Sequence, residues 1–435
     1  MDRPNIILIV ADTMRRDAVG VYNPDVKTHN IDLLAKDSIV YSNAISPAPW
    51  TVPAHASLFT GKYTSEHGLH ETYDIKTLQL MGKMNEVKYE TIAEFLNKNG
   101  YNTVGLSANI NIVPGSGFDR GFNTFIFKKN YYQLIMDDIL NLKTGKKNTL
   151  LSTIKNYINK NGFSSIVDLY RLYKLSYNKN NGYPFDKGGY SIINEIKNMS
   201  LKVPFFIFIN FMEMHDPYLN QSRFKKPQNE PDGIITFMDN RKNDLNKINK
   251  IKNAYFEQST ILDGYIGEII NFLKENKIYA STDIIFTSDH GQEINENYYG
   301  HGVFLSDDLI NVPLIVKNGN HKVVDKYIST VKVFDIIKNI VYNNDNLTLD
   351  DTVFSESYGI HHDQALKFNN RKDKDIRRVA IFKDNYELIV NAQSGIEKFV
   401  YQNKNIDKDH NKNILNELLE EISIFNGIND FNVQV

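Results

Sequence analysis

The chain has 435 residues, 41% of them apolar, and a formal net charge of −2 at pH 7. That length predicts one large α/β domain with a smaller appendage, and the near-balanced charge excludes a general attraction to nucleic acid or to anionic membrane. The absence of cysteine excludes disulfides, thiolate metal sites and a thiol nucleophile.

No run approaches the roughly 18 to 20 apolar residues that span a bilayer. Met1-Asp2-Arg3-Pro4 leads straight into a strand and leaves no room for a signal peptide. The expectation is therefore a soluble, cytoplasmic protein.

Asn5 to Ala11, NIILIVA, is a continuous β-branched run of the kind that fills a central parallel strand buried on both faces. Asp12 follows it, and a carboxylate just past the carboxyl end of such a strand points into the crevice where open α/β sheets bind ligands. Thr28 to Lys36 reads as a short helix. Ser46 to Gly68, SPAPWTVPAHASLFTGKYTSEHG, reads as a turn feeding a helix, with Thr51 at the turn and Pro53 in the first helical turn, where its missing N–H loses no intrahelical partner. Thr51 is there either as a plain N-cap or as a nucleophile.

Tyr89 to Lys98 reads as an amphipathic helix stopped by Gly100, and Tyr101 to Ser107 as the next strand. Asn109 follows that strand; it reads as surface loop, with an amide also within reach of a bound anion. Residues 114 to 125 are Gly-rich but follow no strand-to-helix pattern, so no nucleotide loop is expected there. From about 128 to 186, apolar residues recur at helical spacing between Lys/Asn/Gly-rich linkers, which predicts a helical insertion on the main sheet.

Gly188 to Asn198 reads as a helix and Val203 to Phe211 as a second buried strand, with His215 just beyond its end. Lys252 to Leu273 carries one apolar stripe, from Ile261 through Tyr265 and Ile269 to Leu273, and predicts a long helix against the sheet. Asp283 to Thr287 is a third buried strand. Asp289 and His290 sit at its end, and His301 follows in a Gly-His-Gly turn. Val312 to Val316 closes this part of the sheet. Beyond about 325, a helix, strand-like runs at Thr352 to Glu356, Val379 to Phe382 and Tyr386 to Val390, and a terminal helix near Ile414 to Ile424 predict a small antiparallel subdomain over 326–435, behind a catalytic domain over 1–325.

Asp12, Thr51, Asp289 and His290 form an oxygen-rich set with one imidazole, the donor mix that suits Mg²⁺, Ca²⁺, Mn²⁺ or Zn²⁺. A divalent ion beside the Thr51 hydroxyl would lower its pKa and favour its use as a nucleophile. Amides at the start of the following helix would face the anionic group under attack.

The segments PAPWTVPAHASLFTG, MEMHDPY and SDHG with GHG after it occur in the order seen in the alkaline phosphatase superfamily, and the chain resembles its sulfatase-like branch over most of residues 4 to 317. The resemblance implies a three-layer α/β sandwich on a mostly parallel sheet. It implies metal ligation by Asp12, Thr51, Asp289 and His290, and binding of the substrate's phosphate or sulfate, or of a second metal, by His215 and His301. Sulfatases of this branch carry Cys or Ser in a C/S-x-P-x-R motif, oxidised to formylglycine. Here Thr51-Val52-Pro53-Ala54-His55 stands instead. The threonine β-methyl blocks that oxidation, so no formylglycine is expected. His55, replacing the arginine, is expected with Asn109 among the substrate-binding groups. Asp12-Thr13 replaces the usual Asp-Asp pair, which weakens the case for calcium.

The expected activity is hydrolysis or transfer at a phosphate ester of a small molecule or glycan, with catalysis by Thr51, His215 and His301, no nucleic-acid partner and no membrane span. The alternatives are a sulfate-ester hydrolase and, in a different class, a catalytically silent protein that binds glycan or phosphate.

Overall fold

The NIILIVA run forms strand Asn5–Ala11, with every residue buried. Its alternate side chains enter two separate cores: Ile7, Ile9 and Ala11 on one face, Ile6, Leu8 and Val10 on the other. Each fully buried aliphatic side chain contributes roughly 1.5–3 kcal/mol. Burial on both faces explains why the run carries no polar alternation.

The computed structural model describes residues 3–70, 82–128, 187–216, 218–219, 234–235, 245–296, 298–344, 347–359, 375–393, 395–408 and 410–426. An eight-stranded sheet runs in the order Lys322–Ser329, Ser38–Ile45, Asn311–Lys317, Thr282–Thr287, Asn5–Ala11, Phe205–Phe211, Asn102–Ser107, Thr124–Phe127. Asn311–Lys317 lies antiparallel to both neighbours, and the remaining pairs are parallel. Helices His29–Ala35, Gly189–Asn198 and Leu245–Glu275 pack on one face and Thr51–Thr60, Ile92–Lys98 and Val333–Tyr342 on the other. This is the expected three-layer α/β sandwich. In Leu245–Glu275, the stripe Ile261, Tyr265, Ile269 and Leu273 is buried against the sheet.

Several boundaries differ from the expectation for local reasons. The helix that carries Thr51 starts at Thr51 itself: Trp50 is the N-cap with extended backbone, and Gly61 closes the helix in the left-handed region at φ 66°. Thr51 is thus the first helical residue and not the cap. The strand Ser38–Ile45 was not expected, because its polar positions Ser42 and Asn43 break the apolar run. Lys322–Ser329 is an edge strand with exposed Lys322 and Lys326, the charged pattern by which edges resist further pairing.

That edge strand spans residue 325, so the expected division there falls inside the main sheet. The antiparallel C-terminal sheet begins at Val353 and is five-stranded, in the order Val353–Tyr358, Arg377–Lys383, Tyr386–Asn391, Gly395–Tyr401, Lys404–Asn405. Helix Lys412–Asn426 covers it through Leu415, Leu418 and Ile422. This sheet shares a core with the main layers through Ile45, Val303, Leu309, Val353 and Phe382. Glu356 N–H donates to the Pro47 carbonyl at 2.9 Å, so the subdomain grips the segment that leads into Thr51. Apart from Lys128, the helical insertion expected over 128–186 lies outside the described residues. No helix among the described residues is long and apolar enough to cross a membrane.

Candidate active site

Three strands of the sheet deliver the site from their carboxyl ends. Asp12 follows Asn5–Ala11 and its N–H donates to the Phe211 carbonyl at 2.9 Å. Thr13 then adopts φ 60°, a left-handed conformation that costs a β-branched residue roughly 1–3 kcal/mol. The strain is held in place from several sides. Thr13 N–H donates to Asp289 Oδ1 at 3.1 Å, the Tyr255 hydroxyl donates to the Thr13 carbonyl at 2.9 Å, and Arg15 N–H donates to the same hydroxyl at 2.8 Å. The Ser46 hydroxyl meets the carbonyls of Asp289 and Ala48, which ties the approach to Thr51 to the end of strand Thr282–Thr287.

Among the described residues, Asp12, Asp289 and His290 bring one donor atom each within 4.8 Å of one another. Asp12 Oδ2 accepts from Asn109 Nδ2 at 2.6 Å, and Asp289 Oδ1 accepts from Thr13 and His290 N–H at 3.1 and 2.8 Å. The second oxygens, Asp12 Oδ1 and Asp289 Oδ2, are buried with no hydrogen-bond donor. His290 Nδ1 donates to the Gly291 carbonyl at 2.8 Å, which leaves the Nε2 lone pair for the site. Thr51 Oγ1 lies 3.4 Å from that Nε2.

The electrostatics fit a cation. Burial, with Asp289 next to it, pushes Asp12 up to about 7. Burial likewise raises Asp289 to about 6 and lowers His290 to about 4. Two desolvated carboxylates with undonated oxygens and a neutral imidazole form a site short of positive charge, and the O/O/N donor set suits a divalent ion. A divalent ion taken up at this cluster would displace protons from Asp12 and Asp289, whose pKa values are raised, and not from His290, whose pKa is lowered. The expected result is an apparent affinity that falls as pH is lowered from about 7 to 5, with proton release near pH 6.5. Calorimetry in buffers of differing ionisation enthalpy measures that release; a pH-independent affinity would contradict the assignment.

His215 and His301 lie next to this cluster, with ring centroids 5.3 Å apart and His301 4.7 Å from His290. Burial acts to lower His215, but Asp216 outweighs it and carries the imidazole to about 9. The Asp216 carbonyl and Oδ1 lie 2.8 and 2.9 Å from Nδ1, so Nε2 is the nitrogen that can meet a ligand. His301 Nδ1 donates to Gln292 Oε1 at 2.8 Å.

The remaining expectations land differently. Asn109 is not surface loop: it is 2% exposed and its amide orients Asp12. His55 is fully buried among Phe59, Phe118 and Phe208. Its Nδ1 donates to the Thr51 carbonyl at 3.0 Å and its Nε2 accepts from Asn210 at 3.2 Å. Burial drops its pKa to about 3. A neutral ring with both nitrogens engaged supports the turn at Thr51 and has no nitrogen left for substrate. The sequence reading also missed Lys187, Asn210 and Gln292; only Gln292, beside the Asp-His-Gly motif, left a local signal.

The family model Sulfatase matches residues 4–341. The chain is similar to an arylsulfatase of Clostridium perfringens, 26% identical over 341 residues, covering 69% of this chain and 66% of that one. It is also similar to the human (Homo sapiens) iduronate 2-sulfatase, 24% identical over 361 residues, covering 72% and 59%. The chain thus spans about three fifths to just under two thirds of these relatives' lengths. In structure it resembles the phosphonate monoester hydrolase of Agrobacterium radiobacter, with a TM-score of 0.66, 15% identity and coverage of 97% and 95%.

Proposed function

Because the chain belongs to the sulfatase family, in the sulfatase-like branch of the alkaline phosphatase superfamily, we propose that it is a metal-dependent hydrolase or transferase of phosphate esters in which Thr51 is the nucleophile. The observation that carries this reading is the approach of Thr51 Oγ1 to the Asp12, Asp289 and His290 cluster. A divalent ion held by Asp12, Asp289 and His290 would supply charge neutralisation and a lowered hydroxyl pKa. Which ion it is, Mn²⁺, Zn²⁺, Mg²⁺ or Ca²⁺, is decided by metal analysis of protein purified without chelator.

In this mechanism Thr51 Oγ1 loses its proton to solvent and attacks phosphorus in line. The bond to the leaving alkoxide breaks as the threonine–phosphorus bond forms, and the alkoxide takes a proton from water. Water or an acceptor hydroxyl then resolves the phosphothreonine. His215, cationic at neutral pH, and His301 face the transferring group, where fixed positive charge and donors favour the charge that develops. His55 and Asn109 act one step back, holding the Thr51 carbonyl and Asp12.

A sulfate-ester hydrolase is the second reading, favoured by relatives named as arylsulfatase and iduronate 2-sulfatase. Against it stands Thr51, whose β-methyl prevents conversion to an aldehyde. The substrate is expected to be a small-molecule or glycan ester, because the relatives are named for arylsulfate and iduronate esters. The two readings separate in one panel: p-nitrophenyl phosphate, bis-p-nitrophenyl phosphate and p-nitrophenyl sulfate, each with the four metals. Phosphate esters are expected to turn over well above the sulfate, and the reverse order would overturn the first reading. No turnover of any ester, with phosphate still bound, would place the chain with silent binding proteins.

A further inference from the structure

Lys187 is 2% exposed and stands just before the N-cap Gly188 of helix Gly189–Asn198. Its Nζ donates to the Glu213 carbonyl at 2.9 Å and to the His215 carbonyl, and it lies 5.6 Å from the centroid of the Tyr218 ring. The two glycines that follow are closely fitted. Gly188 has φ +118°, and a Cβ there would come within 2.5 Å of Ala108 Cβ; one on Gly189 would meet Tyr265 Cε2 at 2.4 Å and Glu213 Oε1 at 2.6 Å. Gly189 N–H donates to Glu213 Oε1 at 3.0 Å. Lys187 and Gly189 therefore grip the turn that carries His215, while Gly188 seats this segment against Ala108.

We propose that Lys187 is a positioning residue for His215, an inference that rests on the reading of His215 as a group facing the transferring phosphoryl. Two carbonyls of one buried turn, at Glu213 and His215, have left the strand ladder, and the ammonium supplies both with a donor. Holding the Glu213–Met214 and His215–Asp216 peptide planes limits the backbone torsions of Met214 and His215 between them, and hence the direction of the imidazole. Asp216 then fixes the ring rotation from the other side. A buried ammonium carries a desolvation cost of several kcal/mol unless it is compensated. Here the charges of Glu213, Asp216 and Asp12 favour the ammonium, so the clamp is also part of the charge balance of the site.

The test uses the metal-loaded full chain and the substitution Lys187→Met, which keeps the side-chain length and removes the donors. Two readouts are taken: kcat/KM on the best ester of the panel, and the imidazole ¹H–¹⁵N correlations of His215 in histidine-labelled protein, which need no substrate. The expected result is a shift of the His215 signals and a fall in kcat/KM of about 100-fold, the scale of a displacement near 1 Å. In a His215→Ala background the same substitution should cost less than about 3-fold, because coupled residues are not additive. Unmoved His215 signals, or losses that multiply fully in the double variant, would overturn the proposal. If the parent turns over no ester but Lys187→Met still displaces the His215 signals, the functional reading falls and the clamp stands. Should Lys187→Met fail to fold, Lys187→Gln, which keeps one amide donor, is measured in the same way.

Discussion

Replacing Thr51 by alanine is expected to lower turnover by on the order of 10⁴-fold or more, because it removes the proposed nucleophile. Thr51 is 4% exposed in a helix whose every residue is buried. The substitution removes only a hydroxyl and a methyl, so the fold should lose no more than about 1–2 kcal/mol. Circular dichroism and thermal melting of Thr51→Ala should therefore match the parent closely while activity does not. Thr51→Ser should retain part of the rate, since a primary hydroxyl can make the same attack. Acid quench during turnover followed by peptide mass spectrometry should find phosphate on the peptide containing Thr51. Full activity in Thr51→Ala would end the covalent mechanism.

The second large effect is expected from removing the proposed metal ligands. Asp289→Ala would confuse two roles, because Asp289 Oδ1 accepts from the backbone N–H groups of Thr13 and His290, and stranding those buried donors costs about 1–3 kcal/mol each. Asp289→Asn keeps an oxygen for both donors and removes the charge. It is expected to fold, to be purified without stoichiometric divalent metal, and to show activity at the background of the assay. His290→Ala should do the same, since Nε2 is the nitrogen turned to the cluster. Plasma emission or absorption analysis of chelator-free preparations reads the metal directly. If Asp289→Asn and His290→Ala both carry the ion as the parent does, the site is misplaced.

The parts of this site that were legible in the sequence are those where one segment carries both the structural cue and the chemical group. Asp12 and the Asp289-His290 pair each follow a buried apolar strand, so the strand end and the ligand are read together. What was not legible depends on contacts between distant segments. Asn109 looked like surface loop because nothing near it reveals that Asp12, 97 positions away, lies beneath its amide. Lys187 sits in a Gly-rich joint, and only the fold brings it under the His215 turn. His55 shows the opposite failure. Spacing put it four residues after Thr51, where helical geometry aims the ring back at the Thr51 carbonyl and into the aromatic core. A sequence comparison alone suggested an arginine substitute facing substrate. The mostly parallel sheet and its two helical layers followed from the apolar runs, whereas Ser38–Ile45 and the edge strand Lys322–Ser329 did not, because their burial is partial and set by their neighbours.

Trp50, the N-cap of helix Thr51–Thr60, is the only tryptophan among the 435 residues. Emission excited at the red edge of indole absorption therefore originates from a single point, one residue from Thr51 and 8% exposed. The protein thus carries its own optical probe where metal uptake and ester binding would be felt first. Stopped-flow fluorescence can follow both events in the unlabelled chain, separating the rate of ligand arrival from the rate of the chemistry that follows.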